Sequence, residues 1–199
     1  MYLLLLALIV LLWLMLPKYS PPKVLKGILT EDECEYIKQA AEKKFKPSTV
    51  GGNNEVHKEI RDSETAWLTK NDPVARRVIE RCLKHIDRPI DNCEMLQVLR
   101  YGSGGFYKPH QDCFANDPNP RMYTFVMGLS NPDEYEGGYT AFPNCDKMYK
   151  LAKGDVLFFN TLDDYGMLTD YAMHGGTPVT KGRKIICNLW VRRYPYKND

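Results

Sequence analysis

The chain has 199 residues and a net charge of +2 at pH 7, enough length for one ordinary domain and too little charge bias to mark a nucleic-acid binder. Charged residues make up 26% and hydrophobic residues 44%, a balance that excludes wholesale disorder. Thirteen prolines, fourteen glycines and thirteen tyrosines with no fixed period exclude a solenoid and favour short strands joined by turns.

The chain opens on an uninterrupted apolar run, Met1–Leu16, ended by Pro17 and Lys18. At ~1.5 Å per residue a helix of that run reaches roughly 24 Å, against a ~30 Å hydrocarbon core. It lacks the charged leading segment and small-residue cleavage site of a secretory signal. The expectation is an uncleaved single-pass membrane anchor (a signal-anchor) with a Pro-rich spacer over residues 1–20, and a folded domain over 21–199. Lys18, Lys23 and Lys26 on its C-terminal flank leave the membrane orientation open.

Thr30-x-x-Glu33 is a capping box, followed by Cys34, Ile37, Ala41 and Phe45 at helical spacing. A second helix is predicted from Asp72-Pro73, with Val74, Val78, Ile79, Cys82, Leu83 and Ile86 on its buried face. Gly51–Asn54 between them marks an exposed loop. From Glu94 onward five β-type runs alternate with turns: Leu96–Tyr101, Tyr123–Leu129, Gly138–Phe142, Asp155–Asn160 and Lys184–Val191. Helices first and strands afterwards predict an α+β chain in which helices brace a sandwich or barrel. The six cysteines include no C-x-x-C pair, which excludes a zinc knuckle and leaves any disulfide pattern open.

Chemistry concentrates on few residues. Only four histidines occur, His57, His85, His110 and His174. His110-Gln111-Asp112 puts an imidazole and a carboxylate on one face of a strand, though such a pair alone is as readily a surface ion pair. His174 is followed by Gly175-Gly176, which permits close backbone approach. Two histidines and one carboxylate with open positions are the ligand set of non-haem Fe(II) oxygenases. Lys184, ten residues after His174, is either a strand-edge lysine or a cation awaiting an anionic cosubstrate. His57 and His85 have no ligand at useful spacing and are surface residues by default.

These residues sit in longer segments that resemble the prolyl 4-hydroxylases, a family of 2-oxoglutarate/Fe(II)-dependent dioxygenases, in its compact plant, algal and viral form. EMLQVLRYGSGGFYKPHQD, PRMYTFVMGLSN, GGYTAFP and HGGTPVTKGRK follow the family's ordered motifs, as do Asn188-x-Trp190 and RDSETAWL at Arg61–Leu68. The resemblance spans about residues 24–193. It implies a double-stranded β-helix (jelly roll), iron held by His110, Asp112 and His174, and 2-oxoglutarate held by Lys184 with the Tyr101 and Thr140 hydroxyls. Tyr107, Arg121 and Trp190 would line the active-site mouth, with Arg192 also toward substrate, where the family often has histidine. O₂ would be the second cosubstrate and ascorbate an auxiliary reductant. The reaction implied is hydroxylation of proline in a peptide or protein, coupled to decarboxylation of 2-oxoglutarate to succinate and CO₂. Hydroxylation of a free amino acid or other small molecule, or a non-catalytic binding module, are the alternatives. The family also implies an endoplasmic-reticulum location behind the expected anchor. Phe114–Pro120, Tyr123 and Tyr139 are further candidates for the substrate groove.

Overall fold

The computed structural model describes residues 18–51 and 55–197, together with Tyr2, Leu5 and Leu6. Most of the apolar run and the centre of the Gly51–Asn54 loop therefore lie outside the described residues. The expected membrane anchor is corrected: among the described residues no helix is long and apolar enough to cross a membrane. The physical reason is already in the length of the run, which falls short of a hydrocarbon core. The localisation expected with it, a single-pass membrane-anchored enzyme of the endoplasmic reticulum by family resemblance, is corrected by the same finding.

Both predicted helices form as their caps dictate. In α1 (Glu31–Glu42) the Thr30 hydroxyl accepts from the Glu33 backbone N–H, and the Glu33 carboxylate accepts from that of Thr30. In α2 (Pro73–Leu83) the Asp72 carboxylate caps Val74 and Ala75. Arg81 on α2 binds Glu33 on α1 and ties the two together.

The strands are β1 (Lys23–Leu25), β2 (Lys46–Pro47), β3 (Arg61–Asp62), β4 (Glu64–Leu68), β5 (Leu96–Tyr101), β6 (Phe106–His110) and β7 (Arg121–Gly128). There follow β8 (Tyr135–Gly137), β9 (Thr140–Phe142), β10 (Lys147–Tyr149), β11 (Val156–Asn160), β12 (His174–Gly176), β13 (Val179–Gly182) and β14 (Lys184–Arg192). A seven-stranded sheet runs β1-β11-β7-β14-β5-β4-β2, and a five-stranded sheet runs β10-β9-β12-β6-β3. A short β13-β8 ribbon stands apart from both. Each ladder is antiparallel.

Alternation along the large sheet divides the molecule into two cores. Leu96 and Val98 on β5, Phe125 and Met127 on β7, and Cys187 and Leu189 on β14 pack against the helices. Residues one step away, Leu99, Val126 and Ile186, pack instead with Phe142 and Tyr149 of the small sheet. Side chains two apart share a face, so Lys184, Asn188 and Trp190 are carried inward with Ile186. The six cysteines are free, five of them buried. Burial pushes the Cys82 and Cys93 thiols up to about 12, so they pack as protonated apolar groups.

Candidate active site

Between the sheets lies a cavity of about 240 Å³. His110 ends β6 and His174 begins β12, and the two are direct cross-strand partners. Their rings stand 4.6 Å apart, centroid to centroid. A Cβ on Gly175 would lie 2.7 Å from the Tyr107 carbonyl oxygen and 2.9 Å from the Pro109 nitrogen, so glycine there is what lets the two strands approach. Asp112 lies just past the end of β6, in a bend rather than on the strand expected from the sequence. Its Oδ1 is 3.7 Å from His110 Nε2 and its Oδ2 3.6 Å from His174 Nε2. The donor atoms of these three residues all fall within 4.8 Å of one another.

The surroundings prepare each donor. Lys108 and Ala172 offer carbonyl oxygens to Nδ1 of His110 and His174, at 2.9 Å and 3.0 Å. Those contacts fix the tautomer with Nε2 free to ligate. Burial pushes the His174 imidazole down to about 4, which keeps it neutral as a metal ligand must be. Burial works against ionisation of Asp112, but the two imidazoles and Arg121 outweigh it and hold the carboxyl far below the usual range. The Thr124 hydroxyl donates to Asp112 Oδ2 at 2.6 Å. Two imidazoles and one carboxylate on one side of an open cavity fit a divalent iron ion.

The cavity floor comes from the large sheet. Lys184 on β14 is directly opposite Tyr101 on β5, with its ammonium 5.5 Å from the tyrosine ring centre. Lys184 is 5% exposed, and among the described residues no carboxylate pairs with it. Burial and the neighbouring Lys150 charge push it down to about 8. Thr140 on β9 is buried across from Gly176 and also lines the cavity.

Tyr107 stacks on His110 with 3.7 Å between ring centres. Arg121 lies 3.6 Å from the Trp190 ring centre and donates to the Asp112 carbonyl at 3.3 Å. Arg121 also grips Glu94 with Nε and Nη2, at 2.7 Å and 2.9 Å.

The structure thus brings His110, Asp112, His174, Lys184, Tyr101, Thr140, Tyr107, Arg121 and Trp190 to one cavity. It does not bring Arg192, Tyr123 or Tyr139 there. Arg192 is held by Glu94 Oε1 at 2.8 Å, Asp117 Oδ2 at 3.1 Å and the Asn119 carbonyl at 2.6 Å. It braces the 114–120 insertion, of which only Phe114 reaches the cavity. His57 is paired with Glu55 and Glu59, and His85 is exposed, both away from the site.

Several residues carried no assigned role in the sequence, among them the wall residues Trp67, Gln97 and Gln111 and Glu94, which holds Arg121 and Arg192. Alternation along Glu64–Leu68 was the available signal for Trp67. Nothing local marks Glu94, whose two arginine partners come from distant strands. Arg61, Gln111, Asn188 and Trp190 each have a buried polar atom without a protein partner, and all four line the cavity. Such atoms are expected where a polar ligand or water completes the bonding.

Comparison with known proteins agrees with this geometry. Residues 96–192 match the family model of the 2OG-Fe(II) oxygenase superfamily. A putative prolyl 4-hydroxylase of Acanthamoeba polyphaga mimivirus is 34% identical over 185 residues, covering 87% of this chain and 75% of the relative. The chain belongs to the prolyl 4-hydroxylase family of 2OG-Fe(II) oxygenases. Prolyl 4-hydroxylase 1 of Arabidopsis thaliana is 32% identical over 194 residues, covering 85% of this chain and 68% of the relative. Among solved structures, the viral collagen prolyl hydroxylase of Paramecium Bursaria Chlorella virus-1, in complex with 2OG, is 28% identical with a TM-score of 0.73. That match covers 88% of this chain and 97% of the other. The fold is accordingly the jelly roll of this family, and its cofactor and cosubstrate are Fe(II) and 2-oxoglutarate.

Proposed function

We propose that this enzyme hydroxylates proline within peptides or proteins at C4, with residues 21–199 as the catalytic unit. The supporting observation is the meeting of His110, Asp112 and His174 with buried Lys184 in one cavity. His110, Asp112 and His174 would hold the iron, which supplies the oxidising power when it, 2-oxoglutarate and O₂ are bound. The Lys184 ammonium neutralises the distal carboxylate of 2-oxoglutarate, which loses its hydration in a buried site. Tyr101 and Thr140 donate hydroxyl hydrogen bonds to the same end. Thr124 and Arg121 keep the Asp112 carboxylate ionised and oriented. Tyr107, Arg121 and Trp190 shape the mouth, where aromatic faces suit a proline ring. Ascorbate is the auxiliary reductant in this reading.

A peptide substrate is supported by the prolyl 4-hydroxylase relatives and by the unpartnered polar atoms of Arg61, Gln111, Asn188 and Trp190 along the cavity. Small-molecule hydroxylation, the alternative class, has no such support. The deciding experiment supplies proline-rich peptides with Fe(II), 2-oxoglutarate and ascorbate and records mass. A gain of one oxygen on proline, matched by succinate and abolished by His174→Ala, is the expected result. Turnover of free proline equal to that of any peptide overturns it.

A further inference from the structure

A second groove, of about 540 Å³, opens beside the active-site cavity and shares three of its walls, Thr49, Trp67 and Gln97. Its far side is made by Lys43, Lys44 and Lys46. No carboxylate lines it among the described residues. The nearest acids are already engaged: Arg100 binds Glu42 at 2.8 Å and Glu64 at 2.7 Å. Asp72, which feels the Lys44 charge, is occupied in capping α2 and in accepting from the Tyr36 hydroxyl. No direct ion pair engages the three lysines among the described residues, so their ammonium groups remain open to a ligand.

Lysines at a helix C-terminus complement the helix dipole, which accounts for Lys43 and Lys44. It does not account for Lys46, which lies beyond the helix on edge strand β2. The three converge on the groove instead.

Resting on the peptide reading above, we propose that this groove is a subsite for an acidic side chain of the substrate, a glutamate or aspartate outside the hydroxylated proline. The path between the two is set by the sheet. Asn188 pairs with Gln97, Gln97 with Trp67, and Thr65 with Lys46. Three strand spacings, about 14 Å, and the two-residue step along β4 from Trp67 to Thr65, about 7 Å, make a diagonal of about 16 Å, which an extended peptide covers in about four to five residues. The acidic residue therefore falls about four to five positions from the target proline. Trp67, half-exposed between cavity and groove, lies along the path.

The test compares synthetic proline-rich peptides with Glu, Gln or Lys four or five residues before or after the central proline. Oxygen gain is read by mass, and kcat/KM is measured with the full-length enzyme. The Glu peptide on one side should exceed its Gln counterpart by roughly fivefold at low salt, since exposed charge pairs contribute modestly. That preference should fade in about half-molar salt. K43Q/K44Q/K46Q should remove it while leaving the Gln peptide unchanged. K43E/K44E/K46E should turn it toward the Lys peptide. Equal use of Glu and Gln peptides by the parent enzyme, or a preference that survives both triple variants, overturns the proposal. Failure of every peptide, Gln forms included, instead overturns the prolyl reading beneath it.

Discussion

Lys184 is the residue on which the environment acts most plainly. Its position on β14 carries it inward with Ile186, Asn188 and Trp190, and burial next to Lys150 lowers its proton affinity to about 8. The consequences for binding and folding have opposite signs. Above about 8 the folded chain holds a neutral amine while the unfolded chain keeps its proton up to the ordinary lysine range. Stability therefore gains with pH across that window from this group. In the role proposed for Lys184, affinity for a dianionic cosubstrate instead declines, because the ammonium that would partner its carboxylate loses its charge. We expect the dissociation constant of 2-oxoglutarate to rise by about tenfold per pH unit above 8, the slope of one linked proton. Titration of binding from pH 7 to 9.5 checks this, and a flat profile removes Lys184 as the anchor. Lys184→Met should bind weakly at every pH.

At the scale of elements, the site depends on how closely β6 and β12 approach. Gly175 is the contact point, and any side chain there meets the backbone of Tyr107, Lys108 and Pro109. Gly175→Ala should therefore separate the strands and displace His174 from His110. An overpacked contact of this kind costs about 1–3 kcal/mol. A shift of about 1 Å at the donors can lower turnover on the order of a hundredfold. Thermal unfolding and kcat measured together check this, with iron binding weakened in parallel. The helices and long strands were legible because their signals are local. Thr30, Glu33 and Asp72 cap through their own hydrogen bonds and Pro73 starts its helix at the first position, and the β-type run Leu96–Tyr101 matches its strand. The three-residue strands β1, β8, β10 and β12 were not predicted as such, because three residues carry almost no period. Asp112 reaches His110 from a bend, so the strand argument placed it on the right side by a conformation it does not adopt.

At the scale of the whole molecule, the N-terminal segment is more closely joined to the fold than a spacer would be. The Tyr19 hydroxyl donates to the Asn160 carbonyl at 3.0 Å, and its ring stacks on Tyr171. β1 then extends the large sheet by pairing with β11. We expect removal of residues 1–17 to leave the melting temperature and turnover unchanged. Removal of residues 1–26 should lower the melting temperature by several degrees, since a chain of this size loses about 2–4 °C per kcal/mol. Calorimetry of the two truncations distinguishes them, and equal melting temperatures would show that β1 contributes nothing.

The sequence by itself determined the family and named the candidate donors: two histidines, one aspartate and one lysine at the spacing of ordered family motifs. Those are properties of residue type and separation, and they survive without coordinates. Tertiary structure alone decided where charge is spent. Arg192 was a candidate for substrate contact until Glu94, Asp117 and Asn119, all distant in the chain, claimed its guanidinium. Lys43, Lys44 and Lys46 drew no notice in the sequence, because their meaning depends on Arg100 occupying the neighbouring acids. Ion pairing is a competition among groups brought together by folding, and no local pattern records its outcome.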